Sequence, residues 1–212
     1  MKTVYLVRHG QSEANLRSEI YQTGESPLTE LGRRQAEQIA ERAKLLQFDV
    51  MIASTMRRTQ ETATAISNST GRPFESHALF EERHEPSSLA GKRRSDPEVQ
   101  SKLQAWFKSS SGFGPKVEDG ETFAETSERA GKALRFLEER AEESILVVGH
   151  GFFTRMLIAR AWHGEKTAPE LFEPMEWGMR TINTGLSVMK YDPTDEHRSW
   201  WLLVWNDHTH LG

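Results

Sequence analysis

Thr3-Val4-Tyr5-Leu6-Val7-Arg8-His9-Gly10-Gln11-Ser12-Glu13-Ala14-Asn15 is the stretch from which the rest of the chain is read. Its apolar run, Val4 to Val7, predicts a short buried strand. The run stops abruptly on a cation, an imidazole and a glycine, which places polar chemistry at the strand's carboxyl end. Far downstream, Ser144-Ile145-Leu146-Val147-Val148-Gly149-His150-Gly151 repeats the arrangement. This second run is almost continuously apolar, as expected at the centre of a parallel sheet.

Between these strands the pattern alternates. Residues 10 to 28 read as irregular, because Gly24 and Pro27 interrupt any regular element. Thr29 is a plausible N-cap for a helix with Leu31, Ala36, Ile39, Ala40, Ala43 and Leu46 on one face and Arg33, Arg34, Glu37, Glu41 and Lys44 on the other. A strand over 48 to 53 leads into a helical pattern through Arg57, Arg58, Thr62 and Ala63, which Gly71-Arg72-Pro73 ends, and 74 to 78 reads as a weaker strand. Residues 81 to 120 lose this order, with only 97 to 108 helical, and read as a partly helical lid inserted in one domain spanning 1 to 212. A long helix over about 121 to 143, the His150 strand, a helix over 152 to 162, and two closing strands at 183 to 191 and 200 to 205 complete the order. The expected fold is α/β, three layers (α/β/α) around a mostly parallel mixed sheet.

The 212 residues suffice for one substantial core, and 36% hydrophobic with 27% charged content fits a globular chain rather than a disordered one. A net charge of -4 argues against a nucleic-acid partner, which would need a basic face. No apolar run approaches the roughly 20 residues that span a bilayer, so no membrane partner is expected. Met1-Lys2-Thr3 runs directly into the first strand without a signal-peptide pattern, and the expected location is cytoplasmic. The absence of cysteine excludes disulfides, thiolate metal sites and cysteine nucleophiles.

In open α/β sheets ligands bind beyond the carboxyl ends of the strands. Arg8 and His9, Arg58, and His150 all fall just past such ends, so three separated segments converge on one rim. Each alone is a weak signal: Arg-His-Gly is often a turn, a histidine after an apolar strand often a satisfied core group, and Arg57-Arg58 often a solvated helix face. Together they suit phosphoryl transfer. A neutral imidazole can attack phosphorus, arginine forks match phosphoryl oxygens, and a carboxylic acid can protonate the leaving alkoxide and later deprotonate water.

Residues 6 to 15 resemble the signature of the histidine phosphatase superfamily, also called the phosphoglycerate mutase-like family. Ser26 to Ala36, Ser54 to Ala63, Val147 to Gly151 and Asn183-Thr184 are similar to its later blocks, in the same order. The resemblance implies His9 as the nucleophile, with Arg8, Arg58 and His150 completing a phosphate pocket and Asn15 and then Ser12 as supporting donors. Arg57 is left out, since Arg58 is the arginine four residues before Thr62-Ala63. The acid falls on Glu82 or on its neighbour Glu81, with Glu82 the better fit to the lid entry. Lys92, Arg93 and Arg94 form the basic cluster of the lid, able to bind a second anion or simply solvated.

The reading is a phosphomonoester phosphatase working through phospho-His9 on a small phosphorylated metabolite, without metal or cofactor. Its rivals are a phosphoglycerate-type mutase and a non-catalytic phosphate-binding module. The tryptophans at 200, 201 and 205 are read as an edge of the core in preference to a subunit contact, and His208 and His210 as part of a solvated tail.

Overall fold

The computed structural model describes residues 1–16, 19–21, 24–196 and 199–212. Strands β1 (Lys2–Arg8), β2 (Val50–Ala53), β3 (Phe74–Ser76), β4 (Ser144–Gly149), β5 (Leu186–Tyr191) and β6 (Trp200–Asp207) form a six-stranded sheet in the order β3-β2-β4-β1-β5-β6. β1 to β4 pair in parallel with one another, and β5, antiparallel to β1, and β6, antiparallel to β5, close the sheet. The α/β expectation holds, with β1 at the interior between β4 and β5.

Side chains alternate across the pleat and so divide the core in two. Val4, Leu6, Ile145 and Val147 face α4 (Phe123–Glu139), α5 (Gly151–His163) and α6 (Pro169–Gly178). Val7, Leu146, Val148 and Met51 face α1 (Glu30–Ala43) and α2 (Arg57–Thr70). Each fully buried side chain of this kind contributes roughly 1.5–3 kcal/mol relative to exposure.

Local chemistry sets the helix ends. Thr29 accepts a hydrogen bond from Gly32 N at 3.0 Å and caps α1 as expected, and Gly71 ends α2 at a φ of 70°. Thr122 and Glu125 form a capping box at the start of α4. The loop after β1 approaches α1 so closely that a Cβ on Gly10 would lie 2.4 Å from Gly32 O, and one on Gly32 1.9 Å from Gln11 O. Neither position has room for a side chain.

Several elements differ from the sequence reading. Leu31 is 42% exposed, because the buried stripe of α1 runs through Gly32, Ala36, Ile39, Ala40 and Ala43 instead. β5 begins only at Leu186, since Thr184 takes a φ of 60° that no strand accommodates. Helix α6 lay hidden behind Pro174, a breaker that this ten-residue helix carries internally. The C-terminal turn is docked rather than solvated: Arg42 of α1 pairs with Asp207, and His210 Nε2 lies 3.1 Å from Thr184 Oγ1. Trp200 is buried in the core as expected.

The segment between β3 and α4 contains α3 (Pro97–Ser110) and short turns, and is partly helical as expected. Trp106 of α3 is its anchor, only 1% exposed.

Candidate active site

The sheet's hydrogen-bond ladder runs on into the rim. His9 N donates to Gly149 O at 3.0 Å and Ser54 N to Val148 O at 3.0 Å, so both residues inherit the register of the parallel strands. On the other side, Thr184 N donates to Arg8 O at 2.9 Å, and Asn183 Nδ2 to His9 O at 2.9 Å. The backbone of Arg8 and His9 is therefore gripped from β4 and from the turn before β5.

This grip brings the two histidines together. Their ring centroids are 5.2 Å apart, edge to face, and both side chains are buried. His9 Nδ1 lies 2.6 Å from Gly10 O. A carbonyl oxygen only accepts, so Nδ1 carries the proton and Nε2 holds the lone pair. That Nε2 accepts from Arg58 Nε at 3.2 Å. His150 Nε2 is 2.8 Å from Ser54 Oγ, and its Nδ1 is buried without a partner among the described residues.

Burial, followed by the charges of Arg58 and Arg8, holds the His9 pKa well below the ordinary 6.5. His150 is depressed by burial and then by Arg58, His9 and Arg8. Both rings are neutral near pH 7, which keeps a lone pair available. Burial also lowers Arg8 and Arg58, yet guanidinium groups stay charged in proteins.

Glu82 sits where α5 begins. Its two carboxylate oxygens accept from Phe152 N at 3.1 Å and Phe153 N at 3.0 Å, a favourable place for a carboxylate. Its backbone carbonyl accepts from Arg129 Nη2 at 3.2 Å, and Arg129 Nη1 also holds the carbonyls of Leu79 and Glu81. Glu121 in turn pairs with Arg129 at 2.7 Å. Glu81, the alternative acid, is occupied elsewhere by Thr55 and His84. Glu82 lines the cleft, together with Arg58, Arg83 and Glu85, in a cavity of about 420 Å³.

The remaining sequence-predicted residues divide. Asn15 is at the surface of the rim, where its Oδ1 accepts from Ser12 N, Ser12 Oγ and Asn183 Nδ2. With Oδ1 engaged by donors, Nδ2 is what the amide can offer an anion. Ser12 is fully buried and its hydroxyl faces Asn15, so it holds that amide rather than lining the cleft. Arg57 points away from the site, as expected, and pairs with Glu61 on the same helix at 2.7 Å. Two cations of the insertion's basic run are engaged locally: Arg93 pairs with Glu19 at 3.0 Å, and the Arg94 guanidinium stacks 4.0 Å from the Tyr21 ring.

Sequence reasoning passed over Ser54, Arg129, Glu85 and Tyr21. Ser54 opens the segment 54 to 63, and its position just past β2 is the available signal. Arg129 sits in a helix rich in charge, where nothing in the pattern distinguishes it. Burial raises the Glu85 pKa, and the Tyr21 hydroxyl hydrogen-bonds to that carboxyl; solvent still reaches Glu85 at the cleft mouth. Among the described residues, no group of three or more His, Asp or Glu is placed to hold a metal ion, and no helix is long and apolar enough to cross a membrane.

A parallel-centred α/β sheet with a buried histidine pair and two arginines at its rim defines a protein class, and comparison with known proteins gives the family. Residues 4–208 match the model of the histidine phosphatase superfamily (branch 1), and the chain belongs to that superfamily. It is 31% identical over 206 residues to a Cronobacter sakazakii protein named "Probable phosphoglycerate mutase GpmB", covering 96% of this chain and 91% of that one. The α-ribazole phosphatase of Shigella flexneri has the same fold, with a TM-score of 0.77 at 24% identity over 97% of this chain and 96% of that one. So does the phosphoserine phosphatase of Entamoeba histolytica, with a TM-score of 0.74 at 22% identity and full coverage of both chains.

Proposed function

We propose that this chain is a phosphomonoester phosphatase that works through a phosphohistidine on His9. The observation that carries the reading is the fixed tautomer of His9: Gly10 O holds the proton on Nδ1, and Nε2 is left as the nucleophilic atom against Arg58. In the first step Nε2 attacks phosphorus and the bond to the leaving alkoxide breaks, while Glu82 in its acid form protonates that oxygen. In the second step the Glu82 carboxylate takes a proton from water, the water oxygen attacks phosphorus, and the N–P bond breaks. Inorganic phosphate leaves and His9 is again neutral. Arg8, Arg58 and His150 hold the phosphoryl oxygens, with Asn15 at the edge and Ser12 behind it. Two buried guanidinium groups supply the positive charge that transfer requires, and the scheme uses no metal ion or cofactor.

A second reading has its own support in the names of the curated relatives. In a phosphoglycerate-type mutase the same phospho-His9 would be returned to a substrate hydroxyl instead of water. The two readings share every residue above and differ in the acceptor.

Hydrolysis of a chromogenic aryl phosphate in the presence of chelator, with rapid quench to trap an acid-labile phosphoenzyme, tests the scheme. Both signals are expected in the parent and neither in His9→Ala. Retained turnover in that variant would overturn the mechanism. Interconversion of 2- and 3-phosphoglycerate faster than phosphate release would make the mutase reading correct.

A further inference from the structure

The two histidines of the rim are tied down at different nitrogens. His9 donates from Nδ1 to Gly10 O at 2.6 Å, which leaves the lone pair on Nε2. On His150 it is Nε2 that is tied, 2.8 Å from Ser54 Oγ, while Nδ1 is buried without a partner among the described residues. Which nitrogen of His150 carries the proton depends on the direction in which the Ser54 hydroxyl donates.

The surroundings of Ser54 decide that direction. Ser54 is wholly buried just past β2, and its backbone is fixed on both sides: its N donates to Val148 O at 3.0 Å, and its carbonyl accepts from Thr59 Oγ1 at 2.8 Å. Its Oγ already accepts from Met56 N at 3.3 Å. A hydroxyl has one proton to give and two lone pairs to receive. If His150 donated from Nε2, both lone pairs would be taken and the hydroxyl proton would have no acceptor, because Ser54 Oγ has no further hydrogen-bond partner among the described residues. Stranding a buried donor in this way is costly. If Ser54 donates to Nε2, the hydroxyl is fully used and the imidazole proton resides on Nδ1.

We infer that Ser54 is a positioning residue that holds His150 in the Nδ1–H tautomer, so that the second histidine meets the phosphoryl group as a hydrogen-bond donor. The inference rests on the phosphatase reading for the group that Nδ1 meets, but not for the tautomer itself. Two neutral rings then divide the work: His9 offers a lone pair, and His150 offers an N–H. A preset donor of this kind stabilises charge that develops on the phosphoryl oxygens without giving up its proton. The tie at Nε2 also withholds the lone pair of His150 from phosphorus, which leaves His9 as the one ring of the pair able to accept the phosphoryl group.

Two-bond ¹H–¹⁵N correlation spectra of the free protein near pH 7 read the tautomer directly, with the His150 signals identified by their loss in His150→Gln. A protonated Nδ1 and an unprotonated Nε2 are expected; the reverse pattern in the parent would overturn the assignment, whatever the variants do. Ser54→Ala removes the hydroxyl and should move both nitrogen shifts toward those of exchanging tautomers, while the affinity for inorganic phosphate, measured by calorimetry, falls severalfold. Unchanged nitrogen shifts in that variant, or an unchanged phosphate affinity, would likewise overturn the role of Ser54. A parent that shows the Nδ1–H tautomer and phosphate binding dependent on Ser54, yet forms no phosphohistidine and hydrolyses no phosphomonoester, would leave this role standing and sink the phosphatase reading instead.

Discussion

The two walls of the cleft are built in different ways. The rim that carries His9, Ser54 and His150 is a continuation of the sheet, positioned by backbone bonds such as His9 N to Gly149 O. The opposite wall, from Glu81 through α3, is positioned by side chains: Arg83 stacked on Phe152, Trp106 and Phe107, and Arg129 holding the carbonyls of Leu79, Glu81 and Glu82 in the segment that carries the acid. A backbone ladder tolerates many substitutions on its far side, whereas a wall of stacked cations depends on each member. The rim should fail in chemistry, and the insertion in stability and alignment.

The sharpest test of the rim is His9→Ala, expected to lower turnover by about 10⁴-fold or more while the circular-dichroism spectrum and melting transition remain close to the parent's. The opposite failure is expected of Trp106→Ala: truncating this buried ring should cost about 3–5 kcal/mol of unfolding free energy in a denaturant titration. A stability change below about 1 kcal/mol there would show that the insertion is not held by its aromatic stack. Glu82→Gln joins the two walls and should slow kcat by about 10²-fold with little change in inhibition by phosphate, since an amide keeps the shape but not the proton transfer. The same loss in Glu81→Gln instead would move the acid by one residue.

Acid adds a smaller effect. His9 and His150 stay neutral in the folded protein below their ordinary pKa of 6.5, while the unfolded chain takes up protons there. Stability from these two groups is therefore complete above pH 6.5 and falls as pH drops below it. Melting temperatures measured from pH 7 to 5 should decline less steeply in His9→Ala than in the parent. Smallest of all, Arg57→Ala removes an exposed pair with Glu61 and should change stability by less than about 0.5 kcal/mol and turnover by less than twofold. A large loss there would contradict the register that selects Arg58.

This division also explains what was legible in the amino-acid sequence. The α/β order, the Thr29 cap and the convergence of Arg8, His9, Arg58 and His150 all follow from short-range patterns, because apolar runs mark strands and strand ends mark the rim. The second wall depends on contacts distant in sequence. Nothing near Arg129 announces that its guanidinium will meet the carbonyls of 79, 81 and 82, and Pro174 conceals α6 by obeying a rule that the helix overrides. The basic run at 92 to 94 stays open in sequence for the same reason: charge is visible there, but the Tyr21 ring and Glu19 that engage Arg94 and Arg93 are not.

The order in which the chain is made gives the grip on His9 another meaning. β1 is synthesised first, yet its two neighbours in the sheet are β4 and β5, and Asn183 and Thr184 hold its last residues. His9 thus emerges well before Asn183, 174 residues downstream, and is gripped only once that residue has followed. Such distant pairing slows folding in general. It also means that a nascent chain stopped short of the turn at 183 lacks the contacts that grip the last residues of β1, so a formed rim marks the emergence of that turn.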